Sequence, residues 1–274
     1  MRTISVGITL PTKLSEPKQA LSDFSILVYG SAKIGKTTLA AMFPEALFLM
    51  CEPGGKALRI YQQPIQSWRE ILDVLGELRK SKQFRTVVVD TVDLAYRMCE
   101  EDICKKLGIS HASEKSYGGA WGMIRSEFQT TMARLQNLNR GVIFISHAHE
   151  VEVRRRSGSV SHRTAPTLGG IGYDVLDAMA DFIVYYDRTD SGERALWVRS
   201  EGNITAGIRT GVEEAEKHFL WTDGTEIESI PMGKSPQEGY NNFIAAFENK
   251  LEKGGKVVSA TTKPVQKKLT IRRV

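Results

Sequence analysis

Cysteine is scarce. Cys51, Cys99 and Cys104 are the only three in 274 residues, too few and too irregularly spaced for a disulfide framework, and the 99/104 spacing matches no zinc pattern. Buried or idle thiols are what this leaves. Long hydrophobic runs are also missing, so no segment has the unbroken apolar length that a membrane span needs. The opening residues MRTISVGITLPTK lack the apolar stretch and small-residue cleavage site of a secretion signal, and a cytoplasmic location is expected. No internal repeat recurs. Acid is absent from one end: residues 253–274 carry seven Lys or Arg and no Asp or Glu, so setting them aside turns the net charge of +5 into −2. The basic character is therefore local, which favours a charged tail over a uniformly basic DNA-coating surface. With 25% charged and 41% hydrophobic residues the remainder has an ordinary globular composition and enough length for a sizeable core.

What the chain does have is concentrated in FSILVYGSAKIGKTTLAAMF, residues 24–43. An apolar run of strand length leads into Gly30-Ser31-Ala32-Lys33-Ile34-Gly35-Lys36-Thr37, which fits G-x-x-x-x-G-K-[ST] at every fixed position, and a helix is expected to follow. The spacing has a physical basis. Glycines at 30 and 35 let the backbone bend until successive N–H groups point inward, and the following helix adds its positive end, so the loop suits phosphate oxygens. Lys36 would reach the β- and γ-phosphates of ATP, the Thr37 hydroxyl would hold Mg2+, and Thr38 continues the nucleotide-binding stretch.

The remaining pattern reads as alternating strands and helices. Residues 46–51 form a second apolar strand that ends at Glu52, a carboxylate placed either at a ligand-binding edge or in a solvated turn. Residues 67–82 put Trp68, Ile71, Leu72, Leu75 and Leu78 at helical spacing, with Trp68 read as core. Residues 86–90 form a buried strand ending in Asp90, positioned to order Mg2+ through a water, and Thr91 follows it. A helix over 94–107 gives way to a non-periodic stretch at 108–119 and then a helix from about 121 to 138. A strand at 141–146 is expected to end at His147, and residues 150–172 to form a second long polar loop carrying Arg154, Arg155, Arg156 and Arg163. Beyond it lie a short helix at 173–179, strands at 181–187 and 195–199, a segment at 204–210 entering a helix at 213–218, and a last helix at 243–251. The domain reading is an arm over 1–22, serving as an edge strand or a subunit contact, a core over 23–250, and a basic disordered tail over 251–274.

Two phosphate-loop arrangements compete for this pattern. In the AAA+ type a glutamate follows the magnesium aspartate and a helical lid follows the core. Here Thr91 follows Asp90, and the later segments read as strands. The order and spacing of residues 24–210 instead resemble a RecA-like ATPase core, which implies an α/β fold with a mostly parallel sheet covered by helices on both faces. The short flanks make the chain most similar to the core-only bacteriophage nucleotide-binding proteins that act as single-strand annealing recombinases.

That resemblance carries roles onto particular residues. It implies that Glu52 in LFLMCEPGG is the general base, that Asp90 in TVVVDT serves the metal, and that His147 in VIFISHAH couples the γ-phosphate to DNA, where the bacterial recombinase has glutamine. The two DNA loops of the family fall at about 108–120 and 151–171. This assigns Lys115, Tyr117, Arg154, Arg155, Arg156 and Arg163, with Trp121 nearby, to single-stranded DNA. The segment NITAGIR points to Arg209, with Arg199 as second choice, as the arginine that reaches a neighbouring subunit's ATP. A homo-oligomer, filament or ring, with ATP between subunits would follow, and the tail could meet DNA or a single-strand-binding protein. From the residues alone, an ATP-dependent switch or loader acting on a protein partner stays open, as does a nucleotide-binding structural subunit with negligible turnover.

Overall fold

The computed structural model describes residues 10–115, 118–154, 158, 160–209 and 217–257. At its centre is β1 (Ser25–Gly30), buried along its whole length. On one side β1 pairs in parallel with β5 (Gly141–Arg154), which pairs with β4 (Thr86–Asp90), then β2 (Ala46–Met50), then β3 (Tyr61–Pro64), all parallel. On the other side it pairs in parallel with β7 (Phe182–Arg188). Antiparallel strands complete that flank: β8 (Arg194–Trp197) and β9 (Gly207–Ile208) on β7, and β10 (Ser229–Pro231) on β8. The fold is the mostly parallel α/β sheet that the RecA-like resemblance implies.

Helices cover both faces because each central strand sends alternate residues to opposite sides. Ile26, Val28, Phe48, Val88, Ile143 and Val184 point to the face packed by α1 (Lys36–Ala40) and α6 (Pro236–Phe247). Leu27, Tyr29, Leu49, Val87, Val89 and Phe144 point to the face covered by α2 (Trp68–Leu78), α3 (Val92–Leu107), α4 (Gly119–Gln136) and α5 (Gly170–Met179). Trp68 is core as expected, with its indole N–H donating to Glu127 at 3.0 Å. All three cysteines are free and buried. Among the described residues no helix is long and apolar enough to cross a membrane.

Several expectations need correction. The strand expected to end before His147 runs on to Arg154, and β6 (Val160–Pro166) returns antiparallel to it, pairing Val151 with Arg163. The second long polar loop is thus largely a β-hairpin. Its signal is Val151 and Val153 alternating with Glu150, Glu152 and Arg154, a period of two that the density of charge obscures. The last helix begins at Pro236, seven residues before the expected start. Ser235 caps it by accepting the Glu238 N–H at 3.1 Å, and Pro236 fits the first turn, where no N–H is needed. β3 went unread because all four of its residues are exposed and show no alternation. The non-periodic stretch holds a short 3-10 turn at Ala112–Glu114, and α4 starts at Gly119.

Of the arm, residues 10–20 form no strand, Leu10 and Leu14 are exposed, and the alternating residues 4–9 lie outside the described residues. The helix expected at 213–218 falls there too, except Lys217 and His218, which are not helical. Leu251, at the expected start of the tail, is fully buried and bridges to Val257, while residues 258–274 lie outside the described residues.

Gly30 has a structural reason for having no side chain. A Cβ there would stand 1.9 Å from the Tyr186 carbonyl oxygen on β7, a backbone atom that cannot swing aside. Gly30→Ala is expected to lower stability by about 3 kcal/mol through forced separation of β1 from β7, read as a lower denaturant midpoint. An unchanged midpoint would show that the two strands are not in this contact.

Candidate functional site

Parallel pairing brings the ends of β1, β2 and β4 to one edge of the sheet, level with His147 within β5. Gly30 lies opposite His147, Asp90 lies opposite both Met50 and Ile145, and the Cys51 N–H donates to the Asp90 carbonyl at 2.7 Å, which holds Glu52 beside it. A cleft of about 490 Å³ opens over this edge, lined among others by Lys36, Thr37, Glu52, Asp90 and His147. The chain between β1 and α1 wraps one side. Lys33 and Gly35 both adopt the left-handed backbone conformation, with φ of 63° and 118°. Alternation of this kind turns successive N–H groups to one side, the geometry of an anion-binding nest.

Inside the cleft the polar groups are already engaged with one another. The Thr37 hydroxyl donates to Asp90 Oδ2 at 2.7 Å. Burial pushes the Asp90 carboxyl above its usual range, opposed by that hydrogen bond. The Lys36 ammonium donates to the carbonyls of Gly30 at 2.8 Å and Ser31 at 2.9 Å. Burial pulls its pKa down, and the charges of Asp90 and Glu52 pull it back up. Glu52 Oε2 stands 3.5 Å from His147 Nε2, both side chains about one-third exposed to the cleft. A carboxylate held against an imidazole beside a phosphate-shaped loop can orient or deprotonate a water.

The rest of the loop is held from outside. Ser31 donates to Asp187 Oδ2, which also accepts the Tyr185 hydroxyl at 2.6 Å, while Oδ1 accepts the Arg188 N–H at 2.8 Å. Burial alone would raise the Asp187 pKa, but these donors outweigh it and hold the carboxyl low. Ile34 is buried in the core, whereas Ala32 and Lys33 are exposed at the cleft mouth, and Gly35 and Thr38 line it. Asp187 was missed in the sequence, as was Asp93, whose Oδ1 accepts Ser146 at 2.8 Å and Thr167 at 2.5 Å. The one available signal for Asp187 was an acid ending a strand, as at Asp90.

The residues assigned to DNA occupy two segments. Arg154 and Arg163 lie on β5 and β6 of the hairpin, with Arg154 paired to Glu152 at 2.9 Å in an exposed setting. Lys115 follows the 3-10 turn, exposed, and Trp121 is partly buried against the helix pair α3 and α4. Tyr117, Arg155 and Arg156 lie outside the described residues. The hairpin base is clamped to the core: the Tyr29 hydroxyl donates to the Thr205 carbonyl at 2.6 Å and lies 3.2 Å from that of Thr164, and Thr167 N–H donates to the His147 carbonyl at 2.8 Å.

Neither candidate arginine lines the cleft of its own chain. Arg209 donates through its backbone to Asp181 at 2.8 Å and through its guanidinium to Ala178 at 3.0 Å, next to the start of β7 and so at the end of the sheet away from the phosphate loop. Arg199 is tied inward. Its guanidinium donates to the carbonyls of Phe219 at 3.0 Å and Ile227, and pairs with Glu226 at 3.2 Å.

With this geometry in place, comparison with known proteins decides the family. Residues 22–210 match a family profile described as "AAA domain", which spans more than half of the chain. The chain belongs to the AAA domain family. The phosphate loop, Glu52, Asp90, His147 and the hairpin all lie inside the matched residues. The two features set against the AAA+ arrangement are nonetheless present: Thr91 follows Asp90, and β8, β9 and β10 follow the core strands. A protein of Bacillus subtilis (strain 168), "SPbeta prophage-derived uncharacterized protein YorG", is 29% identical over 132 residues, covering 46% of this chain and 41% of that protein. The match thus spans less than half of the relative's length. Among solved structures, the KaiC-like protein PH0186 from Pyrococcus horikoshii OT3 is 13% identical with a TM-score of 0.45, over 78% of this chain and 87% of that one. The RadB recombinase is 19% identical with a TM-score of 0.41, over 69% and 86%.

The two arginines differ in what their removal should do to the folded chain. Arg199→Ala removes a donor from the Ile227 carbonyl and a second donor from that of Phe219, which keeps the Ile227 N–H, and is expected to cost about 2 kcal/mol, whereas Arg209→Ala on the surface is expected to change stability by less than about 0.5 kcal/mol. Equal denaturation midpoints for the two variants would contradict the inward anchoring of Arg199.

Proposed function

We propose that this AAA domain hydrolyses ATP with Mg2+, binds single-stranded DNA, and promotes annealing or homologous recombination in the manner of a core-only phage recombinase in the bacterial cytoplasm. The observation that carries the reading is the pairing of Glu52 with His147 over the same cleft that holds Lys36 and the Thr37–Asp90 hydrogen bond. A carboxylate, an imidazole, an ammonium and a hydroxyl–carboxylate pair converge there from four separate strands and the segments that follow them. The prophage origin stated in the name of the B. subtilis relative is in keeping with a phage role.

Thr37 and Asp90 fit a magnesium ion. Both offer oxygen ligands, and among the described residues no cluster of three or more His, Cys, Asp or Glu competes for a metal. The ion would supply neutralisation of phosphate charge. Lys36 leaves the loop carbonyls to meet the β- and γ-phosphates of ATP, and Glu52 orients the attacking water and takes its proton. His147 shares its position between Glu52 and the γ-phosphate. Its backbone carbonyl holds Thr167 just beyond the hairpin, so the γ-phosphate and the arginine-bearing strands meet at one residue. Arg209, exposed and remote from its own cleft, leaves the Ala178 carbonyl to complete that of a neighbouring protomer in a filament or ring, with Arg199 the second choice. Arg154, Arg155, Arg156 and Arg163 contact backbone phosphates, with Lys115 and Tyr117 adding charge and a stacking ring. The basic tail meets DNA or a single-strand-binding protein.

Lys36→Ala is expected to abolish turnover, and Glu52→Gln to bind ATP normally while losing about 10²- to 10⁴-fold in kcat. Normal hydrolysis by Glu52→Gln would move the base elsewhere. ATPase rates measured with and without single-stranded DNA should differ, and indifference would favour a switch acting on a protein partner. Replacing Arg154 and Arg163 together by alanine is expected to flatten the salt dependence of DNA binding by about 0.7 per lost phosphate contact. An unchanged slope would place the DNA site elsewhere.

A further inference from the structure

The phosphate cleft does not end at the loop. Gly35 and Thr38 also line a second cleft, of about 280 Å³, which none of Glu52, Asp90 and His147 reaches. A third cleft adjoins at Glu52 and Pro53, the terminal-phosphate end, so a nucleotide with its terminal phosphate toward Glu52 directs its sugar and base to the opposite end, past Thr38. The walls of this second space are apolar: Leu39 from α1, Tyr186 from β7, and Met232 and Pro236 from the segment that leads into α6. The Tyr186 ring lies 3.8 Å from where a Cβ on Gly35 would be, so this wall abuts the phosphate loop itself.

The polar part of the lining is unusual in its sign. Arg194 and Lys234 bring two cations, Thr38 and Ser235 bring hydroxyls, and no lining residue carries a carboxylate or an amide. Ser235 Oγ already accepts the Glu238 N–H as the cap of α6. Arg194 Nε is buried without a hydrogen-bond partner among the described residues, and its backbone carbonyl is fixed by the Met232 N–H at 2.9 Å.

We propose that this second cleft is the nucleobase subsite of the ATPase, and that it takes adenine and guanine with similar affinity. The inference rests on the function proposed above and adds its substrate class. Two cations address hydrogen-bond acceptors, which both purines present: ring nitrogens in adenine, O6 and N7 in guanine. The adenine amino group needs an acceptor, and the side chains here offer hydroxyls alone. A pocket that reads ring shape separates close analogues by as little as about tenfold, whereas one built around a paired polar group reaches about 10⁴. The lining belongs to the first kind.

The test is the affinity of the chain for ATP, GTP and inorganic tripolyphosphate in the presence of Mg2+, by calorimetry. ATP and GTP are expected to bind within about tenfold of each other, and each at least about tenfold more tightly than tripolyphosphate. Lys234→Met, at an exposed position, and Arg194→Met should each loosen ATP and GTP about fivefold while moving tripolyphosphate less than about twofold. Tripolyphosphate as tight as ATP would overturn the base subsite while leaving the phosphate loop in place. A preference of more than about tenfold for either purine would overturn the shared specificity. Failure of all three ligands to bind would remove the nucleotide reading, and the subsite with it.

Discussion

Parallel register between β1, β5 and β4 is the constraint on which the site depends. β5 stands between the strand that carries the phosphate loop and the strand that carries Asp90, and its alignment sets Gly30 level with His147 and Asp90 level with Ile145. A one-residue slip in either ladder would turn alternate side chains to the other face and send His147 or Asp90 into the helical layers. Burial on both faces fixes the register, because Phe144 and Ile145 each have a filled core to enter. The chemistry at the edge is thus specified by packing several residues away from it.

The buried charges illustrate the same dependence. Asp90 and Lys36 are both nearly out of solvent, and burial shifts their protonation equilibria in opposite senses, each toward the neutral form. Each is restrained by partners the other helps to position: Thr37 donates to Asp90, and the loop carbonyls take the Lys36 ammonium. Breaking one member of such an arrangement leaves an uncompensated charge in a low-dielectric setting, which is far more costly than never burying it. The cleft therefore keeps its polar groups satisfied internally, with partners that can be exchanged for phosphate oxygens.

Much of this was legible in the sequence, for physical reasons. The central strands read as unbroken apolar runs because both their faces are covered, and the phosphate loop announces itself through glycines whose spacing only a tight anion-binding turn requires. What escaped had weak local signals. β3 is entirely exposed, so it carries no hydrophobic alternation. The hairpin alternates valine with charge, and the charge density suggested a loop. α6 was read from its apolar end, although Ser235-Pro236 marks its true beginning. Asp187 and Asp93 act through hydrogen bonds to Ser31, Ser146 and Thr167, partners distant in sequence that no local pattern could name. Gly30 was assigned to the turn, but the tighter demand on it comes from the Tyr186 carbonyl across the sheet.

The hairpin is built as a cantilever. Beyond His147 its two strands bond chiefly to each other, while at the root the Tyr29 phenol grips Thr205 beside Thr164, and Thr164 in turn exchanges backbone bonds with Asn203 and Thr205. Its anchor on β1 is Tyr29, one residue before the glycine that opens the phosphate loop, so the seat of the arginine-bearing strands and the mouth of the cleft share a single stretch of backbone.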